Sequence, residues 1–242
     1  MKKVSVYLFL FLIYVIALPS CKKSADKGDD YKCTTCATSP TALAANDNSS
    51  KGIYKGVVIG STGTIEFNIM NNGTTLTATM VLDGQTINLT SNVTWTAGTP
   101  VVAPFTGTLN GASVSITFAV GSSGQEPSVT SADIPGHPNA SFLIAKETST
   151  ALIKCFEGTY HTTSPEDGTF NVILSEQLHA YAAVSRENGS NELNHTEGAI
   201  TTDNKIKDED GNVIGQLSGD KMSGNFKDSD GNTVTFEGKR TK

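Results

Sequence analysis

Thr64-Ile65-Glu66-Phe67-Asn68-Ile69-Met70 sets Ile65, Phe67 and Ile69 on one side of an extended chain and Thr64, Glu66 and Asn68 on the other. A repeat of two suits a half-buried antiparallel strand and misaligns the apolar groups of a helix. Residues 75–82 repeat the pattern with Leu76, Ala78, Met80 and Leu82; residues 92–97 offer Val93 and Trp95; residues 113–120 offer Val114, Ile116, Phe118 and Val120. Between such runs stand Asn72-Gly73, Asp83-Gly84, Asn110-Gly111, Asp167-Gly168, Asn188-Gly189, Asp210-Gly211 and Asp230-Gly231. Asn-Gly and Asp-Gly supply the positive φ values of tight hairpin turns. Links this short join strands adjacent in sequence, so the expected fold is an all-β antiparallel meander.

The pattern occurs twice. Gly52-Ile53-Tyr54-Lys55-Gly56 followed by Gly63-Thr64-Ile65-Glu66-Phe67 opens one half, and Gly158-Thr159-Tyr160-His161 followed by Gly168-Thr169-Phe170-Asn171-Val172 opens the other. Thr106-Gly107 leading to Ile116-Thr117-Phe118 is matched by Ser223-Gly224 leading to Val234-Thr235-Phe236. These matches predict a duplicated unit of about six strands, built as two small barrels or sandwiches or as one larger shared β-barrel. Residues 121–139, with Pro127, Pro135 and Pro138, are the expected seam. The sequence divides into residues 1–20, 21–50, 51–146 and 147–242, the last two being the β units. The Gly-x-Tyr-x-Gly opening resembles the Gly-x-Trp start of lipocalin-like and avidin-like barrels. The Trp is absent here, and no site residue is carried over.

Residues 1–21 carry the address. Lys2 and Lys3 precede an apolar run through Ile16, too short to span a bilayer, which ends at Leu18-Pro19-Ser20-Cys21. This ending resembles the lipobox of bacterial lipoproteins, with Pro19 an unusual occupant of its position. The resemblance implies removal of residues 1–20 and acylation of Cys21 by fatty chains such as palmitate. Two or more chains give stable anchoring, at about 0.8 kcal/mol per buried methylene. Lys22 stands where an aspartate would resemble an inner-membrane retention signal, so the outer membrane is the expected location. Residues 22–51 read as a polar tether, with Asp26, Asp29 and Asp30 making an acidic patch.

Removal of Lys2 and Lys3 leaves 16 of 18 basic residues against 24 acidic ones, a formal charge of −8. Such a surface has no footprint for nucleic acid. Cys33-Thr34-Thr35-Cys36 predicts a structural disulfide outside the cytoplasm, with a cross-link to Cys155 or metal binding as alternatives. Lys207-Asp208-Glu209-Asp210-Gly211-Asn212 is nearly copied by Lys227-Asp228-Ser229-Asp230-Gly231-Asn232. In a meander both loops emerge on one rim, and Asp208, Asp210, Asp228 and Asp230 are the candidate ligands of a hard cation such as Ca²⁺. The alternative is a pair of hairpin turns made soluble by charge.

No Gly-x-Ser-x-Gly elbow, phosphate loop or His-Glu-x-x-His is present, and His137, His161, His179 and His195 are scattered. In residues 178–184, His179 and Tyr181 share a face and read as an exposed polar pair. No cofactor is expected beyond the candidate Ca²⁺. The leading expectation is a non-enzymatic, lipid-anchored binding or structural module, with an envelope protein or glycan as partner. The alternatives are an envelope hydrolase whose site assembles on folding and a barrel that carries a small apolar ligand.

Overall fold

The computed structural model describes residues 31–59, 63–96, 98–164 and 166–242. The first half contributes β1 (Gly52–Ile59), β2 (Gly63–Ile69), β3 (Leu76–Leu82), β4 (Gln85–Ser91), β5 (Val101–Leu109), β6 (Ala112–Val120), β7 (Ser128–Asp133) and β8 (Ser141–Glu147). The second contributes β9 (Lys154–Thr162), β10 (Asp167–Ser175), β11 (Ala180–Glu187), β12 (Asn194–Ile200), β13 (Lys205–Lys207), β14 (Val213–Ser218), β15 (Lys221–Lys227) and β16 (Thr233–Arg240). Every pairing between them is antiparallel. The first sheet has the order β7-β6-β5-β4-β3-β2-β1-β8, and the second closes as β10-β11-β12-β13-β14-β15-β16-β9. Each half is therefore an eight-stranded meander whose first strand pairs with its second and its eighth. They differ at one place: the first half is unpaired between its seventh and eighth strands, while the second is a closed barrel.

The alternating runs at residues 64–70, 75–82 and 113–120 fall on β2, β3 and β6. Asp83-Gly84 (φ 48° and 77°) and Asn110-Gly111 (φ 53° and 83°) make the turns after β3 and β5. Several expectations are corrected. Each unit has eight strands rather than six, because β7 and the three-residue β13 carry little apolar alternation to announce them. Residues 92–96 form a loop, in which Trp95 donates its ring N–H to the Thr99 carbonyl. Asp167-Gly168 lies within β10 rather than in a turn. The seam is the short link between β8 and β9, since β7 extends the first sheet through residues assigned to it.

The first sheet wraps a filled core. Phe67 stacks on Phe118 with centroids 4.4 Å apart and meets Phe105 edge-on at 5.1 Å, and Tyr54 leans on Phe118 at 5.1 Å. All four rings are solvent-free. Aromatic pairs in this geometry add about 0.5–1.5 kcal/mol beyond the burial of their surface.

β1 is buried on both faces. Tyr54 and Val58 belong to the first core, while Val57 packs with Ile153, Cys155 and Ile173 of the second half. Burial pushes the Cys155 thiol up to about 12, so it persists as a thiol with its Sγ 3.6 Å from the Gly56 carbonyl. Lys55 and Glu147 form a buried ion pair at the same junction.

Residues 31–50, expected as part of a free tether, lie on the body. Asn46 and Leu43 hydrogen-bond Asn71, Thr41 bonds Glu147, and Tyr31 donates to the Arg240 carbonyl. Cys33 and Cys36 are disulfide-bonded, and among the described residues Cys155 is the free cysteine. Residues 1–20, expected to be a removable signal, together with Cys21 and the acidic patch at residues 26–30, lie outside the described residues.

Candidate functional site

Eight strands sit at the boundary between a barrel that side chains fill and one that holds a small ligand. The second half falls on the hollow side because many of its inward positions are glycine. A Cβ on Gly224 would lie 2.3 Å from the Phe236 ring, and one on Gly158 would lie 2.6 Å from the Phe170 ring. Each ring thus occupies the space over a glycine of the neighbouring strand that a side chain there would fill. Phe170 and Phe236 meet edge to face at 5.6 Å, and Phe226 meets Phe236 at 6.3 Å. Ala183, Ser185 and Thr196 are further small side chains on the wall. What remains is a cavity of about 350 Å³, with Val172, Ile206 and Met222 among its apolar lining. That volume lies within the range of about 300–1,000 Å³ typical of small-molecule sites.

One end of the lumen is closed. Phe156, Leu174 and Leu217 are buried at the level where the β10–β11 and β14–β15 turns emerge. Below them Arg240 is 4% exposed; its Nη1 lies 3.3 Å from Asp220 Oδ1, Nη2 donates to the Ala37 carbonyl and Nε donates to the Lys242 carbonyl. The Cys33 amide donates to Asp220 Oδ2 at 2.9 Å, which holds the disulfide loop against this floor.

The other end is the mouth, where the β9–β10, β11–β12, β13–β14 and β15–β16 loops emerge. Thr162, Glu166, Asn194 and Asp228 line the cavity there. Both acidic loops occupy this rim, as the meander requires. Asp208 accepts the Asn212 amide at 2.8 Å and its side-chain nitrogen at 3.1 Å; Asp228 does the same for Asn232 at 2.8 and 3.2 Å. These carboxylates close their own turns. Among the described residues no group of three or more His, Cys, Asp or Glu side chains is placed to hold a metal ion. For Asp228, desolvation acts to raise the pKa, but hydrogen bonds from Asn232, Asp230 and Gly231 outweigh it and hold the carboxyl below its ordinary value.

Tyr181 corrects the reading of residues 178–184. It lies inside the barrel, not on the surface, because both faces of β11 are covered: one by the lumen and the other, through Ala182, by the first half. His179 sits instead in the preceding turn at φ 52°. The Tyr181 hydroxyl is buried without a hydrogen-bond partner among the described residues, and desolvation pushes its pKa up to about 12. An orphaned buried donor costs about 1–3 kcal/mol. Tyr181→Phe should therefore raise the folding free energy by about 1 kcal/mol in urea titrations, and a loss would show that the hydroxyl has a partner.

The other orphan is Glu157 Oε2, on β9 beside Gly63 and Asp83. Desolvation raises this carboxyl above its ordinary value. The folded state then binds more protons than the unfolded chain, so the penalty grows as pH rises from the unfolded value through the folded one. Glu157→Gln should stabilise the protein at neutral pH, with a gain that vanishes below about pH 4. A gain independent of pH would contradict this origin.

Among the histidines, His161 contacts the Asp167 carboxylate across the β9–β10 pair, beside a surface depression on the outer wall. The two side chains are 69% and 59% exposed, so solvent screens the pair. His137 lies 3.5 Å from Asp83.

A scan against family models, a search of curated proteins and a search of solved structures find no match. The functional reading therefore rests on the barrel itself.

Proposed function

We propose that this chain is a lipid-anchored protein of the bacterial outer membrane whose C-terminal barrel holds a small apolar ligand. The observation that carries the reading is the contrast between two meanders of the same strand order. In the first half, Phe67, Phe105 and Phe118 fill the interior; in the second, rings folded over glycine leave about 350 Å³ lined mainly by apolar side chains. A duplicated unit that keeps its lumen open forgoes packing that its sibling retains, and occupancy by a ligand recovers it. The anchor rests on the lipobox resemblance at Cys21, and the disulfide suits an oxidising compartment. Tyr31 is held at the floor, so the chain reaches the barrel opposite the mouth, which favours an unobstructed entrance when the N-terminus is moored.

The test is a titration with N-phenyl-1-naphthylamine, a neutral apolar fluorophore. The protein is prepared without detergent as Cys21→Ser, which bears no acyl chain. A saturable enhancement at one probe per protein is the expected result. Fluorescence that rises without saturation, or does not rise, contradicts ligand carriage. The anchor is tested separately by mass spectrometry of the wild-type N-terminal peptide, where an unmodified Cys21 thiol would contradict it.

A further inference from the structure

We infer that the barrel selects a neutral or cationic amphiphile and discriminates against an anionic one such as a fatty-acid carboxylate. The inference rests on the ligand-binding reading above and adds the charge class of the ligand.

An amphiphile entering this lumen can place its polar head at the floor or at the mouth. At the floor, a carboxylate would need a cation, and among the described residues the buried one beneath the lumen is Arg240. That guanidinium already serves Asp220, the Ala37 carbonyl and the Lys242 carbonyl, and it lies behind the buried Phe156 and Leu174. The deep wall, with Val172, Ile206 and Met222, supplies no charge to receive an anion. A bare carboxylate there would be desolvated without compensation, which is prohibitive. The apolar end therefore enters first.

The head is then left at the mouth, where the cavity wall itself carries two carboxylates, Glu166 and Asp228. The adjoining loop adds Asp208, Glu209 and Asp210. Basic residues of the same strands point elsewhere. Ser185 and Ile206 face the lumen, so the alternation of β11 and β13 turns Arg186 and Lys207 to the outer wall. Lys227, next to the inward Phe226, donates to the Gly231 carbonyl at 2.8 Å. An anionic head at this rim meets like charge, whereas an ammonium meets opposite charge. A hydroxyl finds partners in Thr162, Ser185 and Asn194. Charges a few ångströms apart at a protein surface interact strongly enough to shift affinity by roughly tenfold, and added salt screens the effect.

Displacement of bound N-phenyl-1-naphthylamine by three ligands with one chain and different heads tests this: decan-1-ol, decyltrimethylammonium and decanoate, each below its micellar concentration at pH 7 and low salt. The alcohol and the ammonium are expected to displace the probe at concentrations at least about tenfold lower than decanoate. The ammonium–decanoate gap should narrow in 0.5 M NaCl and in Glu166→Gln/Asp228→Asn, whose single amide oxygen at 228 can still accept the Asp230 and Asn232 backbone amides, though not the Asn232 side chain as well. Glu166→Gln alone leaves Asp228 in its turn and should narrow the gap partway. Decanoate displacing the probe as well as the other two, or a gap unmoved by salt and by both variants, overturns the inference while leaving ligand binding intact. Absence of probe binding before any competitor is added overturns the ligand-binding reading, and this inference with it.

Discussion

Glu147→Ala is expected to lower the folding free energy by about 3–5 kcal/mol, the cost of stranding a buried charge. Glu147 is 0% exposed and Lys55 2%. Its Oε1 accepts the Thr41 amide at 2.7 Å and the Thr41 hydroxyl at 3.1 Å, while Oε2 receives the Lys55 ammonium and the Ile153 amide. One carboxylate thus ties the N-terminal segment, β1, β8 and the link into β9. Truncation leaves the ammonium without a counter-charge and two amides without an acceptor. Lys55→Met/Glu147→Leu strands the same two amides but leaves no buried charge unpaired, so it should cost less than Glu147→Ala. Urea denaturation of the three proteins measures the difference. A loss below about 1 kcal/mol for Glu147→Ala would mean that Lys55 escapes to water.

The second large effect is on binding. Ala183 lines the lumen and packs against the buried apolar cluster of the second half. Ala183→Phe places a ring where the ligand is to sit, with empty volume available to receive it. Probe affinity should fall by about a hundredfold, or about 2.7 kcal/mol, while the melting temperature holds or rises as the void fills. Unchanged affinity would place the probe outside the barrel. A collapse in stability would show that the lumen has no room.

These effects come from parts of the molecule that differ in how far the sequence reveals them. The strands β2, β3 and β6 are legible because one face of each is buried and the other is not, so the apolar residues alternate. β1 and β10 are buried on both faces over most of their length, and their continuous burial hides the period. β7 is mostly exposed and offers no apolar face to read. Tyr181 was hidden for the same reason as β1: the face opposite it is covered by another sheet, so polarity does not mark the outside. Two β units were legible from the recurring strand and turn pattern. The Gly-x-Tyr runs, however, fall at different levels, Gly52 opening β1 and Gly158 lying mid-β9, and the consequence for the lumen was not legible. Whether an inner face is filled depends on which rings lie over which glycines, a cross-strand relation such as Phe236 over Gly224. Inward glycines at Gly158, Gly224 and Gly238 were the available signal, but it acquires meaning once the register is known. The Glu147 network joins residues about a hundred positions apart and leaves no local trace.

The most direct test is a methyl-resolved NMR titration of Cys21→Ser protein with N-phenyl-1-naphthylamine. Resonances of Val172, Ile206 and Met222 in the barrel should shift and saturate together, with contacts to the probe, while those of Ile65, Met80 and Ile116 in the packed half stay in place. Perturbation centred on the first sheet, or spread over the outer wall with the barrel methyls unmoved, would contradict a hollow, ligand-holding second half.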